Sequence, residues 1–278
     1  MLGHLGINVP DLAQEAPVRL GLKGFWMGYF ACRAAPLGPV AAGVVEATFF
    51  NFHPDRVRRA IPDAWAIASP ADILEARSAA AAGALRRLLP DGDADRFAAD
   101  TLPLPRTAID GAVAAGHPLF AANRDVVPPA DPVAALWQAA TTLREHRGDV
   151  HVNLLAGAGL DGCEVHVLFA ATERVVPELF LQSRGWSADD WRATVERLAA
   201  RNLIEVDGTA TPAGRDRRNA IEQRTDELAL APYTALGDEH IDALLRLLRP
   251  PAEQIAASGE IQFPNPMGLP TPSPDLSS

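Results

Sequence analysis

The chain has 278 residues, 48% of them hydrophobic and 6% aromatic, and a formal net charge of -10. The length allows one or two domains with a sizeable core. The negative charge argues against a dedicated nucleic-acid binder or an anionic membrane surface as partner, because neutralised phosphates supply most non-specific affinity for nucleic acid.

Secretory and membrane proteins are not favoured either. No signal pattern precedes the first predicted helix, and no apolar run reaches the ~18 residues of a membrane span. The two cysteines, Cys32 and Cys163, form neither a disulfide framework nor a zinc pattern. We therefore expect a cytoplasmic protein in which both thiols are small buried hydrophobes, with no cofactor or metal.

The first half of the chain predicts short helices separated by Gly and Pro. The predicted helices cover 11–20, 24–34, 39–50, 55–61, 70–89 and 93–116, with a break near Pro103 and Pro105. Ser69 and Pro70 form a clear helix start. A strand remains an alternative for 39–50, and the Pro-rich segment 117–132 is predicted to be a loop.

From residue 131 the helices have clearer boundaries. Asp131 starts a helix that Gly148 is expected to end, and Asp149 is expected to cap a second helix as far as Gly159. Asp161 caps the next helix. The tail, 259–278, is rich in Pro and Ser and predicts disorder in its last residues.

The order of elements between 176 and 228 predicts a winged helix. A short helix closed by Gly185 is followed by a helix with Ser187 at its N-cap. Two short extended segments, 203–206 and 209–212, are then joined by Asp207-Gly208, a strong hairpin signal. A long helix capped by Thr211 follows, and this spacing is typical of the wing of MarR-like regulators.

The chain also resembles a known family, an actinobacterial helix-turn-helix family of winged-helix, MarR-like character. The resemblance covers most of the chain but not its first ten residues, and it implies a helix-turn-helix without implying a reaction or a ligand. It rests on GFWMGYFACRAAPLGPV (24–40), NFHPDRVRRAIPDAW (51–65), EARSAAAAGALRRLLP (75–90), PLFAANR (118–124), LREHRGDVHVNLL (143–155), AGLDGCE (158–164), SRGWS (183–187) and RTDELALAPYTALG (224–237).

The charge of the winged-helix unit does not favour direct DNA binding, although the fold allows it. The start of the would-be recognition helix carries Asp189 and Asp190, where a DNA-reading helix needs basic or amide side chains. Between 176 and 228 ten acidic residues outnumber eight arginines. The weak candidates for DNA contacts are Arg192, Arg215, Arg217 and Arg218.

Ionisable residues crowd the expected helix break at Gly148. Three functional interpretations remain open: a metal site of His146, His151 and Glu164, an acid–base pair of His146 and His151, or an anion clamp at Arg147. The competing structural interpretation makes Asp149 and Asp161 N-caps, places Glu145 and Arg147 at a solvated helix end and treats His166 as a core histidine.

A second polar set lies near the N-terminus and consists of Trp26, Tyr29, Arg33, Asn51 and His53. Tyr29 and Arg33 share one face of an apolar helix, and a buried arginine needs an acceptor. The predicted internal partner of Arg33 is Glu46 or Glu75, with Arg77 pointing into the same site. A structural salt bridge and a ligand contact both remain open.

Together these observations predict an all-α protein with a helical region over 1–130, a winged-helix region with a small β-hairpin wing over 131–258, and a tail over 259–278. The first functional hypothesis is a ligand-sensing, transcription-regulator-like protein that forms a homodimer by analogy. The expected lining of its pocket, between the two regions, is Tyr29, Arg33, His53, Glu145, His146, Arg147 and His151.

Two rival hypotheses remain. One is an enzyme or biosynthetic accessory protein on the same scaffold, with His146 and His151 as catalytic candidates. The other is a protein-interaction module.

Overall fold

The computed structural model describes residues 16–89 and 93–261, and these are mainly helical, as predicted for an all-α protein. The helices of the first half are α1 (Ala16–Arg19), α2 (Gly24–Ala34), α3 (Ala42–Phe49), α4 (Pro54–Arg58), α5 (Asp63–Ile67), α6 (Pro70–Leu88), α7 (Asp93–Thr101), α8 (Pro103–Asp110) and α9 (Pro118–Arg124). Those of the second half are α10 (Pro132–Gly157), α11 (Gly162–Glu173), α12 (Glu178–Arg184), α13 (Ala188–Ala200), α14 (Pro212–Ala229) and α15 (Asp238–Ala257).

The predicted helix starts are confirmed where a side chain caps them. Ser69 and Asp72 form a capping box at α6, and Ser187 and Asp190 form another at α13. The Asp131 carboxylate accepts hydrogen bonds from two backbone amides at the start of α10. These caps satisfy amides that the helix itself leaves unpaired, which explains why the sequence marks these boundaries so clearly.

The predicted helix end at Gly148 is wrong. Helix α10 runs without interruption from Pro132 to Gly157. A glycine inside a helix costs only about 1 kcal/mol relative to alanine. Because α10 buries residues on most of its circumference, packing against several helices outweighs that cost.

The predicted loop 117–132 is wrong over its first half, where α9 forms. Pro118 occupies the first helical position, which suits proline. The backbone amide of Phe120 in the first turn donates a hydrogen bond of 2.9 Å to the Asp149 carboxylate. Asp149 therefore lies inside α10 and caps a different helix from the one the sequence suggested.

The predicted β-hairpin wing is not supported. Within the described residues this segment contains a single isolated antiparallel bridge between Ile204 and Ala210, and no strand. The amide of Glu205 still donates to the carbonyl of Thr209 at 2.7 Å, and Asp207 accepts from the Thr209 amide. Ile204 and Ala210 are buried at the bridge, whereas Val206, nearer the turn, is 89% exposed, so no buried apolar face extends the ladder beyond the bridge.

Three hydrophobic clusters make up the core of the described chain. The first joins α6 to α9 with the start of α10 and with α15, whose Leu244 and Ile255 are buried. The second is formed by α2 to α6, and the third by the end of α10 with α11, α13 and α14. Helix α10 contributes to two of the clusters and so links the first half of the chain to α11, α13 and α14.

Segment 39–50 is helical, as α3, so the strand alternative is excluded. The expected first helix, 11–20, is described only from residue 16, and the tail beyond 261 lies outside the described residues. In the described ranges no single helix is long and apolar enough to cross a membrane. The pair α10 and α11, bent by 97°, meets the criteria of length and composition only when both helices are taken together.

Candidate functional site

A stripe of polar side chains runs along the buried length of α10. Its members are Gln138, Thr142, Glu145 and Asp149, each no more than 5% exposed. The spacings of four, three and four residues place all of them on one face of the helix. A polar face inside a core must be matched by partners, and for Gln138, Glu145 and Asp149 the first half of the chain supplies one or more of them.

Glu145 lies at the centre of a buried ionic group that we call the arginine cluster, comprising Tyr29, Arg33, Arg144 and Glu145. Arg33 Nη2 donates to both carboxylate oxygens of Glu145 at 3.3 and 3.2 Å. Arg33 Nη1 donates to the Tyr29 hydroxyl at 3.1 Å. Arg144 Nη2 also donates to Glu145 Oε1, so one carboxylate serves two guanidinium groups.

The electrostatics of the arginine cluster favour its ionised form. Burial alone would raise the pKa of Glu145, but the neighbouring Arg144 and Arg33 hold that pKa below its usual value. Burial lowers the pKa of Arg144. For Arg33 burial acts in the same direction, yet Glu145 and Tyr29 together raise its pKa above the usual value.

Arg33 finds its carboxylate on α10, so both predicted partners are wrong. Glu46 pairs instead with Arg58 at 2.8 Å, and Glu75 is exposed. The partner of a buried guanidinium depends on how the helices pack. Here the partner carboxylate is 112 positions away in the sequence.

Arg77 is a second buried arginine, and its partners are all neutral. It donates to the carbonyl of Cys32 at 2.7 Å, to Gln138 Oε1 at 2.8 Å and to Asn123 Oδ1 at 3.2 Å. Burial lowers the pKa of Arg77 to about 10. These contacts tie α2, α6, α9 and α10 together and assign Arg77 a structural role.

The two predicted histidines do not converge. His146 and His151 are five positions apart on one continuous helix, so their side chains point about 140° apart around its axis. The His146 ring stacks on His117 with the ring centroids 4.3 Å apart. His151 Nδ1 lies 3.0 Å from Thr225 Oγ1 on α14.

Arg147 also belongs to the contact between α10 and α14. Its Nη2 lies 2.9 Å from Asp226 and 3.5 Å from Glu222, and its side chain is 48% exposed. Surface pairs of this kind contribute about 1 kcal/mol or less. The sequence left open a role for Arg147 as an anion clamp. In the structure its guanidinium is already paired with Asp226 and Glu222.

His53 and Asn51 contact Trp186, whereas the Trp26 ring lies against Tyr29 of the arginine cluster, with the ring centroids 5.5 Å apart. His53 Nδ1 accepts from the Asp55 amide at 3.1 Å, and its ring meets Trp186 edge-on. The carbonyl of Asn51 accepts from Trp186 Nε1 at 3.1 Å and lies 3.1 Å from His166 Nε2. The Trp26 ring packs under the guanidinium of Arg56.

The structural interpretation of His166 and the two cysteines is confirmed. His166 is 3% exposed, and burial followed by the charge of Arg184 lowers its pKa to about 3. Both thiols are buried, and burial raises the pKa of Cys32 and of Cys163 to about 11. Neither thiol is a ready nucleophile, since the thiolate is the reactive form.

Metal binding finds no support in the geometry. No group of three or more His, Cys, Asp or Glu side chains with a metal-binding arrangement occurs within 16–89 and 93–261. Glu164 of the predicted metal set pairs with Arg197 at 3.3 Å and with Arg201 at 3.0 Å. Asp161 caps α11, as predicted.

The four candidate DNA-contact arginines already have protein partners. Arg192 pairs with Asp189, and Arg218 with Glu173 and Glu222 at 3.2 Å each. Arg215 and Arg217 donate to the carbonyls of Ala210 and Ala158. Of the four, Arg192 is the one that lies on the exposed face of α13, with Asp189 and Glu196 on either side.

Arg144 and His117 were not among the residues predicted from the sequence, and Asp149 caps α9 and not the helix predicted to follow Gly148. The spacing of residues 138, 142, 145 and 149 indicates one polar face of a helix, but only if the whole segment is treated as a single helix. Nothing in the sequence marks Arg144 as buried, because an arginine beside a glutamate is usually a solvated helix position.

A family model described as a helix-turn-helix family matches residues 4–262. Comparison with curated proteins gives no match, and neither does comparison with solved structures. The MarR-like and actinobacterial parts of the expected resemblance stay predictions. Since the match spans nearly the whole sequence, the chain belongs to this helix-turn-helix family.

Proposed function

We propose that this protein senses a small anionic molecule at the arginine cluster and uses its helix-turn-helix in a regulator-like role. The observation that carries the proposal is that Arg33 and Arg144 share the single carboxylate of Glu145. A carboxylate or phosphate on a ligand would supply the missing negative charge and accept charge-assisted hydrogen bonds.

The two guanidinium groups retain capacity to bind. Neither Arg33 Nε nor Arg144 Nε has an acceptor among the described residues, although both atoms are enclosed. The side chains of Arg33 and Arg144 nevertheless keep 16% and 15% of their surface accessible to solvent. The Tyr29 hydroxyl accepts from Arg33, which leaves its own proton free to donate to a ligand.

Helix α10 offers a route from this site to the helix-turn-helix. Glu145 lies on its buried face, and the nearby residues Arg147 and His151 contact α14. Helix α14 begins directly after the 203–211 turn, where Thr211 Oγ1 donates to the carbonyl of Asn202 at 2.8 Å. A shift of α10 on anion binding would therefore be passed to this segment.

The test compares anions with a matched neutral molecule. We expect benzoate or inorganic phosphate to raise the melting temperature of the full chain, whereas benzamide, the neutral analogue of benzoate, leaves it unchanged. The anion effect should disappear in Arg144→Gln and persist in Arg192→Gln, a surface control. Equal shifts for benzoate and benzamide, or an effect that persists in Arg144→Gln, would overturn the proposed site.

The DNA arm of the proposal has a separate test. We expect retardation of a fragment from the upstream region of the gene to be weak at low salt and to vanish as salt rises, because the exposed face of α13 has no excess of basic groups. No retardation even at low salt would remove the DNA role. Tight sequence-specific retardation at physiological salt would show that the charge argument is wrong.

A further inference from the structure

A separate cavity of about 500 Å³ lies on the other side of α10 from the arginine cluster. One wall is the segment 111–117, which follows α8. The opposite walls are α10, the end of α14 and the turn after it. The cavity therefore lies between residues of the first half of the chain and the helix that follows the 203–211 turn.

Three polar side chains in the lining of this cavity, those of His117, Asn153 and Thr234, carry atoms that can accept a hydrogen bond. His117 Nδ1 lies 2.9 Å from the carbonyl of Ala115, so Nδ1 carries a proton and Nε2 is the ring nitrogen left to accept. Asn153 Nδ2 donates to the carbonyl of Gly116 at 2.9 Å, which leaves its Oδ1 as an acceptor and its second N–H as a donor. Thr234 Oγ1 donates to the carbonyl of Ala231 at 2.8 Å.

The remaining polar lining is the ring of His146, which is 3% exposed and stacked on His117 at an interplanar angle of 8°. Its Nδ1 is enclosed and has no hydrogen-bond partner within the described part of the chain. Burial and the neighbouring His117 lower the pKa of His146 to about 4, so the ring is neutral near pH 7. The described lining contains no Asp, Glu, Lys or Arg.

The rest of the lining is apolar and incompletely covered. Val150 and Leu154 line the cavity from α10, and Leu228 from α14. Val113 is 70% exposed and Leu228 is 36% exposed. Apolar side chains that surround a few acceptors and remain open to solvent are typical of a small-molecule site.

We propose that this cavity binds an uncharged planar aromatic molecule that carries a hydroxyl group. The hydroxyl would donate to His117 Nε2, and the ring would cover Val150, Leu154 and Leu228. A carboxylate does not suit this role, because it has no proton to donate to His117 and the described lining contains no Lys or Arg to balance its charge. This site is independent of the arginine cluster, for which we propose an anionic ligand.

The probe is 2-naphthol, and 2-methoxynaphthalene is the matched molecule without a donor. We expect calorimetric titration of the full chain to show saturable binding of 2-naphthol, at least about tenfold tighter than that of the methoxy compound. His117→Phe retains a ring that can stack on His146 and removes the acceptor, so it should abolish the preference for 2-naphthol. Leu228→Ala, at a partly exposed position, should weaken both ligands.

No saturable binding of 2-naphthol at about 1 mM would overturn the proposal. So would equal affinity for the two compounds, or an unchanged preference in His117→Phe. Arg144→Gln separates this site from the anion site, because it should leave 2-naphthol binding intact. The melting temperature of each variant establishes that it is folded before the titration is interpreted.

Discussion

Arg33 Nη2 lies 3.2 Å from Glu145 Oε2, so a buried ion pair joins the second helix of the chain to α10 across 112 positions of sequence. The Glu145 side chain is 4% exposed and that of Arg33 is 16% exposed. Because Arg144 shares the same carboxylate, loss of Glu145 would leave two guanidinium groups without a described counter-charge.

Glu145→Gln is expected to destabilise the protein by about 3–5 kcal/mol, the cost of leaving a buried charge unpaired. Chemical denaturation at pH 7 measures the change in the free energy of unfolding. The control is Glu173→Gln, which breaks the half-exposed pair with Arg218 and should cost about 1 kcal/mol or less. Equal losses in the two variants would contradict the central role of Glu145.

The ion pair between Arg33 and Glu145 also predicts how the stability of the protein changes with pH. Since the pKa of Glu145 is lowered in the folded protein, its contribution to stability is present above the ordinary pKa of 4.5 and is lost as pH falls through the lower folded value. The difference between the wild-type protein and Glu145→Gln should therefore be constant from pH 5 to 7 and shrink only in more acidic solution.

Asp149 has the opposite behaviour. Burial raises its pKa to about 7, although its carboxylate accepts a hydrogen bond from the Phe120 amide. A raised pKa means that the folded state favours the protonated acid. The stability that protonated Asp149 contributes to the folded state is complete below the ordinary pKa of 3.8. It is lost as the pH rises through about 7, where the carboxyl group ionises in the folded protein.

Asp149→Asn keeps a carbonyl acceptor for Phe120 but never ionises. We expect it to match the wild-type protein near pH 4 and to exceed its stability at pH 8 by up to about 4 kcal/mol. Urea denaturation at both pH values measures this. Asp125→Asn, at a mostly exposed position, should show no such change, and a less stable Asp149→Asn at pH 8 would refute the prediction.

The continuity of α10 is itself testable through Gly148→Ala. A methyl group built at Gly148 lies 3.4 Å from Glu145 Oε2, an ordinary contact. Alanine is favoured over glycine inside a helix by about 1 kcal/mol, so the variant should be more stable by about that amount. A loss of more than about 1 kcal/mol would indicate that the backbone needs glycine at this point.

The sequence predicted helix starts better than it predicted partners. Ser69, Asp131 and Ser187 cap their own helices, and a local side-chain-to-backbone bond can be inferred from local sequence. Asp149 has the same chemical character, but the amide it caps belongs to α9. Residue type shows that a carboxylate suits a helix start, yet only the tertiary fold decides which start it meets.

Three residues of the predicted ligand set, Tyr29, Arg33 and Glu145, lie together, but only part of this grouping follows from local sequence. Tyr29 and Arg33 are four positions apart on one helix, so their contact follows from helical spacing. The meeting of Arg33 with Glu145 depends on how α2 packs against α10, which no local pattern specifies. His146 and His151 point in different directions because they lie five positions apart on one continuous helix. The sequence suggested that they could meet only because a helix break was expected at Gly148.

The glycine at the start of α14 provides a final prediction. Thr211 Oγ1 accepts from the Gly214 amide at 3.0 Å, which confirms the predicted cap. A methyl group at Gly214 would lie 1.9 Å from the carbonyl oxygen of Leu203, a backbone atom that cannot move aside cheaply. The glycine of the T-x-x-G pattern is therefore needed because the 203–211 turn packs closely against the start of α14.

Gly214→Ala should therefore destabilise the protein by about 3 kcal/mol or more, the upper range for overpacking, despite the better helix propensity of alanine. Gly83→Ala is the matched control, because Gly83 is exposed on α6 and a methyl group there meets nothing within 4 Å. That variant should be unchanged or more stable by up to about 1 kcal/mol. Thermal denaturation compares the two, and similar melting temperatures would show that the turn does not pack against α14 as described.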